Sequence, residues 1–211
     1  MKTLFKKLIS VVLVLTMVFS LSATAFAAEP DINQLERSME NITLDINKMT
    51  PDEYKIYKEV MDATIKHEKS IDPNFNEQKF VSQVNGLLYS MEYGIPTPMT
   101  RSRHSNSKVR FSIPNNVVAT TINVAVSLLA GGGATATIKA LVSKYGAKTA
   151  ANMIAKKVTA KLLALGIKEA SGLGTVIRHV VKNVLDPGDT VAEWLDSKDK
   201  RPRNGYVDVS F

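Results

Sequence analysis

The chain has 211 residues, 45% of them hydrophobic, with 27 Lys/Arg against 20 Asp/Glu and no cysteine. That length allows one or two small domains with a buried core, and the missing cysteines exclude disulfide stapling and thiol chemistry. The formal charge of +7 favours anionic partners.

Lys2, Lys6 and Lys7 precede a nearly all-apolar run from Leu8 to Leu21, and Ala25-Phe26-Ala27 follows. A positive start, an apolar run and an A-x-A site are the marks of a secretory signal peptide. Residues 1–27 are therefore expected to be removed after Ala27, with Ala25 and Ala27 as the cleavage signal, leaving a secreted protein.

Residues 28–96 read as an acidic helical region. Residues 28–72 alone hold 11 acids and 6 bases. Ile32, Leu35, Met39, Ile42, Ile46 and Met49 alternate spacings of three and four, which predicts a first amphipathic helix. Thr50-Pro51-Asp52-Glu53 then offers a capping box with proline at the first helical position. Tyr54, Tyr57, Met61 and Ile65 give that second helix its apolar face, and Asp72-Pro73 ends it. Phe80, Val84, Leu87, Leu88 and Met91 mark a third helix, stopped by Gly94-Ile95-Pro96.

Residues 97–112 are polar and basic without apolar periodicity, and they predict a flexible linker. Arg101 and Arg103 within it are candidate processing sites. Residues 113–211 are expected to form a cationic helical domain. Phe111 to Ile138 contains no charge over 28 residues, and residues 111–185 carry nine Lys/Arg and one acid, Glu169. About 20 apolar residues suffice to cross a bilayer. Here Thr120, Thr121, Asn123, Ser127, Thr135, Thr137 and Gly131 to Gly133 dilute the apolar character. The segment reads as one that stays in water until attracted to lipid. Val117, Val118, Ile122, Val124, Val126, Leu128, Leu129 and Ile138 are the candidate insertion residues. Lys139, Lys144, Lys148, Lys156, Lys157, Lys161 and Lys168 are the candidate headgroup ligands, since lysine stems lie along apolar surface while the ammonium stays polar.

Glycines set the expected helix limits in this half: Asn115 to Ala130, Ala134 to Tyr145, Ala147 to Leu165, and a kinked Lys168 to Leu185. Asp186-Pro187-Gly188-Asp189 is a turn, and Thr190 with Glu193 predicts a capping box for a last helix bearing Trp194. The alternating tail Tyr206, Val207, Asp208, Val209 reads as extended. Alanines at 147, 151 and 155 permit close helix packing.

Chemistry-bearing motifs are scarce. His67, His104 and His179 lack metal-ligand spacing. Ser197-Lys198-Asp199-Lys200 matches S-x-x-K without its companion motifs. No acid, base and nucleophile set can be assembled, so no enzyme activity, metal or cofactor is expected. Arginine is sparse among the cationic helices and no aromatic platform is interleaved, which argues against nucleic acid.

Ile113-Pro114 followed by VVATTINVAVSLLAGGGATATIKAL resembles the saposin-like helical core of circular bacteriocins. The wider organisation, with its signal segment, cysteine-free helices, Leu-Asp-Pro-Gly turn and NGYVDV tail, is similar to large linear unmodified streptococcin-type bacteriocins of Gram-positive bacteria. The long acidic N-terminal part departs from the circular group. The resemblance implies permeabilisation of competing bacteria without a cofactor. Its partners would be an anionic bacterial membrane, with a membrane receptor and an immunity protein as further candidates, and oligomers could form in lipid. The alternative is a non-lytic secreted or envelope-associated binding or adaptor protein. The expected fold is all-α: an N-terminal helical hairpin or three-helix unit, a compact C-terminal helical globule and a short extended tail.

Overall fold

The computed structural model describes residues 42–95 and 111–209. The signal segment with Ala25 and Ala27, the early stripe residues Ile32, Leu35 and Met39, and Arg101 and Arg103 lie outside the described residues. The architecture is all-α with one small ribbon. In order come α1 (Pro51–Ile71), α2 (Glu77–Tyr93), β1 (Phe111–Pro114), α3 (Asn115–Ser127), α4 (Ala134–Tyr145), α5 (Ala147–Ala164), α6 (Leu173–Asn183), α7 (Pro187–Lys198) and β2 (Tyr206–Val209).

The start of α1 follows from its sequence. The Thr50 hydroxyl accepts from the Glu53 N–H, and the Glu53 carboxylate accepts from the Thr50 N–H at 2.8 Å, with Pro51 in the first turn. Two otherwise orphaned donors are thereby satisfied. Tyr57 and Met61 are buried on its inner face, whereas Tyr54 of the expected face stays exposed. The Tyr57 hydroxyl donates to Asn85 at 2.7 Å and ties α1 to α2. In α2 all five predicted core residues, Phe80, Val84, Leu87, Leu88 and Met91, are buried. Gly94 closes the helix in the left-handed conformation at φ 64°, where a side chain is disfavoured.

Two expected elements differ. The stripe through Ile42, Ile46 and Met49 forms no α-helix there. Asp45 accepts from the Asn47 N–H and caps only a 3₁₀ turn, Ile46–Lys48. Leu44, off the predicted stripe, is the residue fully buried, and its N–H goes to Glu92. Further on, α7 starts earlier than the Thr190–Glu193 box. Asp186 caps it, accepting from the Asp189 N–H at 2.9 Å, with Pro187 in the first turn. The Thr190 hydroxyl instead donates back to the Asp186 carbonyl.

At the centre lies α3. Every residue from 117 to 127 except Asn123 is buried. A helix apolar on all sides belongs inside a protein or a membrane. Its threonines enter the core without orphaned hydroxyls, because Thr120 and Thr121 each donate to the carbonyl four residues back at 2.7 Å. α7 is its most extensive neighbour, and α1, α2, α4 and, to a smaller extent, α5 also pack on it. The acidic and basic parts of the sequence therefore dock on each other. α5 packs most extensively on α6 and also on α4, while α4 packs almost as extensively on α3 and α6 also meets α7. Of the alanine stripe at 147, 151 and 155, only Ala151 is buried, and Ala150 beside it, off the stripe, is buried too.

The end of the expected linker is not loop. Phe111 and Ser112 open β1, which pairs antiparallel with β2, Phe111 opposite Val209 and Ile113 opposite Val207. The tail strand thus holds the entry to α3. Asp208, buried in β2, accepts two bonds from the Arg201 guanidinium at 2.9 and 2.6 Å and one from the Ser112 hydroxyl at 2.6 Å. Asp196 accepts from the Asn204 and Gly205 N–H groups and from the Asn115 amide.

Burial would raise the Asp208 carboxyl, but the Arg201 and Ser112 bonds outweigh it and hold the group below the ordinary carboxylate range. Its folded value lies below its unfolded one. The stability it contributes is complete above about pH 4 and is lost as pH falls through the folded value. Asp208→Asn should be less stable than wild type at pH 7. Its melting temperature should then fall less between pH 7 and pH 3, measured by circular dichroism. Parallel acid limbs would show that this carboxylate does not drive the acid response.

Candidate functional site

The two residue sets singled out in the sequence occupy different layers. Val117, Val118, Ile122, Val124, Val126 and Ile138 are completely buried, and Leu128 and Leu129 are buried at the end of α3. The uncharged stretch is divided into a strand, α3, a turn through Gly131 and Gly132, and the start of α4. Among the described residues no helix is long and apolar enough to cross a membrane. At 1.5 Å per residue, the 13 residues of α3 reach about 20 Å, short of the roughly 30 Å hydrocarbon core.

The lysines lie outside this core. Lys139, Lys144, Lys148, Lys156 and Lys168 are exposed, and Lys157 and Lys161 are half-buried. Lys144 sits over the Tyr145 ring, 5.1 Å from its centroid. Lys161 makes a largely buried ion pair. Its ammonium donates to the Glu92 carboxylate at 2.9 Å, and both side chains are only 20% exposed. Glu92 also accepts from the Leu44 N–H at 3.2 Å and the Thr43 hydroxyl at 3.3 Å. Burial works against its charge, but Lys161 and these donors prevail and lower the carboxyl from its ordinary value. Glu92 joins residues 43–44, α2 and α5 at one point. A single half-buried acid gave no sequence signal of this, since its partner is 69 residues away.

A cleft of about 460 Å³ lies between α1, α3 and the starts of α4 and α7, bordered by Glu59, His67, Glu68, Asp186 and Asp189. Two of these acids have structural duties. Glu68 accepts from the Asn116 amide at 3.0 Å, and Asp186 accepts from Asn123 at 3.0 Å. Burial, with Asp186 and Glu193 nearby, raises the Asp189 carboxyl. The cleft was not legible in the sequence because its acids come from segments more than 100 positions apart. Among the described residues no group of three His, Asp or Glu is placed to hold a metal ion. Ser197 of the S-x-x-K match donates to the Trp194 carbonyl at 2.7 Å, and the neighbouring Asp199 is buried.

Pattern comparison adds no relative: no protein-family model, no curated protein and no solved structure matches this chain.

Proposed function

We propose that this is a secreted, bacteriocin-like antimicrobial protein that binds anionic membranes and permeabilises them without enzymatic chemistry or a cofactor. One observation carries the reading. Residues 134–183 hold nine Lys/Arg and one acid, and two of their helices, α4 and α5, pack against a central helix that has no charge at all. Each exposed lysine near an anionic surface contributes about 1 kcal/mol to binding. The uncharged layer beneath supplies apolar surface for lipid once the cover is displaced. No helix needs to span the bilayer in the water-soluble form.

The lysines suited to a test are the exposed ones, because Lys161 is committed to Glu92. Changing Lys139, Lys148 and Lys168 together to Gln removes about 3 kcal/mol, so binding to anionic vesicles should weaken by roughly two orders of magnitude. Added salt should weaken wild-type binding in the same direction. Dye release should occur from anionic vesicles and not from zwitterionic ones. Unchanged binding in both variant and salt would show that the lysines are only a solvated face.

The non-lytic adaptor reading has its own support. Tyr89 and Tyr93 stand exposed on α2 with ring centroids 4.6 Å apart, and the Lys48 ammonium lies 5.1 Å from the Tyr93 ring. An aromatic surface of this kind suits a protein partner. Vesicle binding without dye release would favour it.

A further inference from the structure

The cationic layer is a continuous segment with distinctive joints at both ends. It is entered through Gly131 and Gly132, at φ 78° and 87°. It is left through Val184, at φ 51° and ψ 46°. Val184 and Leu185 both return their N–H groups to the Val180 carbonyl, a helix ending that glycine normally makes. A β-branched residue in the left-handed region is a backbone outlier, held there by its surroundings. Between these joints, α5 packs most extensively on α6 and also on α4; opening must break the packing of α4 on α3, with the Thr137 hydroxyl donating to the Ser127 carbonyl at 3.3 Å, and the smaller packing of α6 on α7. The segment is fastened to the acidic hairpin by the Lys161–Glu92 ion pair, four-fifths buried on both sides.

We infer that residues 134–183 move as one hinged unit, with Gly131–Gly132 and Val184 as joints and Glu92–Lys161 as the clasp, and that opening this unit bares to lipid the side of α3 that α4 and α5 cover. The inference rests on the membrane reading for its purpose, but the hinge itself is a property of the protein in water. It resolves how a helix buried on every side could meet a bilayer. The lysines contact headgroups while the layer is closed, and the clasp then yields its ammonium to lipid phosphate. The strained joint at Val184 returns to an ordinary conformation as the unit swings away.

Amide hydrogen exchange on the mature chain tests the hinge without lipid. Once off α3, α7 and α2, these short helices lose packing that keeps them helical, so amides of α4, α5 and α6 should exchange through one shared opening while α3, still packed on α7 and α1, and α7 remain protected. Glu92→Gln should speed that shared opening about tenfold and leave α3 and α7 unchanged. If α3 and α7 respond equally, the unit does not open by itself and the hinge is wrong. A tether gives a second, independent arm. A Cβ built at Gly94 lies 3.9 Å from the Ala164 Cβ, inside the range of about 3.5–4.5 Å for a disulfide, and because a side chain at φ 64° is strained, the reduced protein with the same two cysteines is the reference. The chain has no cysteine of its own to compete. Oxidised Gly94→Cys/Ala164→Cys should lose the shared opening and release at least tenfold less dye from anionic vesicles, with recovery on reduction. Equal release by both forms would overturn the inference while leaving permeabilisation intact. A hinge seen by exchange in a wild type that releases no dye would uphold the hinge and remove the membrane reading.

Discussion

Gly188→Ala should lower the melting temperature by about 6–12 °C. Gly188 lies in the first turn of α7, where that helix crosses α3. A Cβ placed on it would sit 2.1 Å from the Ala119 carbonyl oxygen and 2.7 Å from the Asn123 side-chain carbon. Neither neighbour can give way cheaply. The first is backbone of the central helix. The second is held at both ends of its amide: Asn123 accepts from the Gly188 N–H at 2.9 Å and donates to the Asp186 carboxylate at 3.0 Å. Relief requires α7 to move off α3, across the most extensive helix contact described. Overpacking of this kind costs about 3 kcal/mol at the upper end of the usual range. At this chain length each kcal/mol moves the melting temperature by roughly 2–4 °C. Gly174→Ala is the control. Among the described residues nothing lies within 4 Å of a Cβ there, and the residue is helical. Alanine should raise stability by about 0.5–1 kcal/mol. Equal melting temperatures for the two variants would show that the α3–α7 crossing is not as close as described.

What was readable in the sequence was local. The Thr50-Pro51-Glu53 start of α1, the apolar spacing of α2 and the stops at Gly94, Gly146 and Gly166 depend on residues within one or two turns. Each appears where the pattern placed it. The alternating tail was readable as a strand, but its partner was not. Phe111 looked like the end of a linker because pairing with Val209 spans almost 100 residues and leaves no periodicity behind. The Ile42–Met49 stripe misled for a related reason. Asp45 competes for the local N–H groups, and Leu44 is claimed by Glu92 from α2. At the candidate site, the pattern separated uncharged from cationic residues correctly as types. It could not tell that the first set forms the core, nor that Lys161 is spent on a clasp. Both facts depend on which helices meet, and charge composition carries no information on that.

Val126→Lys should abolish cooperative folding. Val126 is completely buried in α3, the helix on which five others pack. The substitution removes apolar contact and places an ammonium among core residues. An isolated charge in such a site costs several kcal/mol even after relaxation. Loss of the valine packing adds to this, and a typical domain has only about 5–15 kcal/mol to lose. The variant should therefore show no sharp thermal transition, and any loss of dye release by it would report unfolding, not failed insertion. The next residue provides the probe that Val126 cannot. The Ser127 hydroxyl is fully buried and has no hydrogen-bond partner among the described residues. An unpaired buried hydroxyl costs about 1–3 kcal/mol, so Ser127→Ala should melt at or above the wild-type temperature. It also makes the uncharged stretch more apolar without adding bulk. The membrane reading then expects dye release from anionic vesicles to be kept or raised, while the adaptor reading expects none from either protein. A Val126→Lys protein that melts cooperatively near the wild-type temperature would mean that α3 is not the core of this fold.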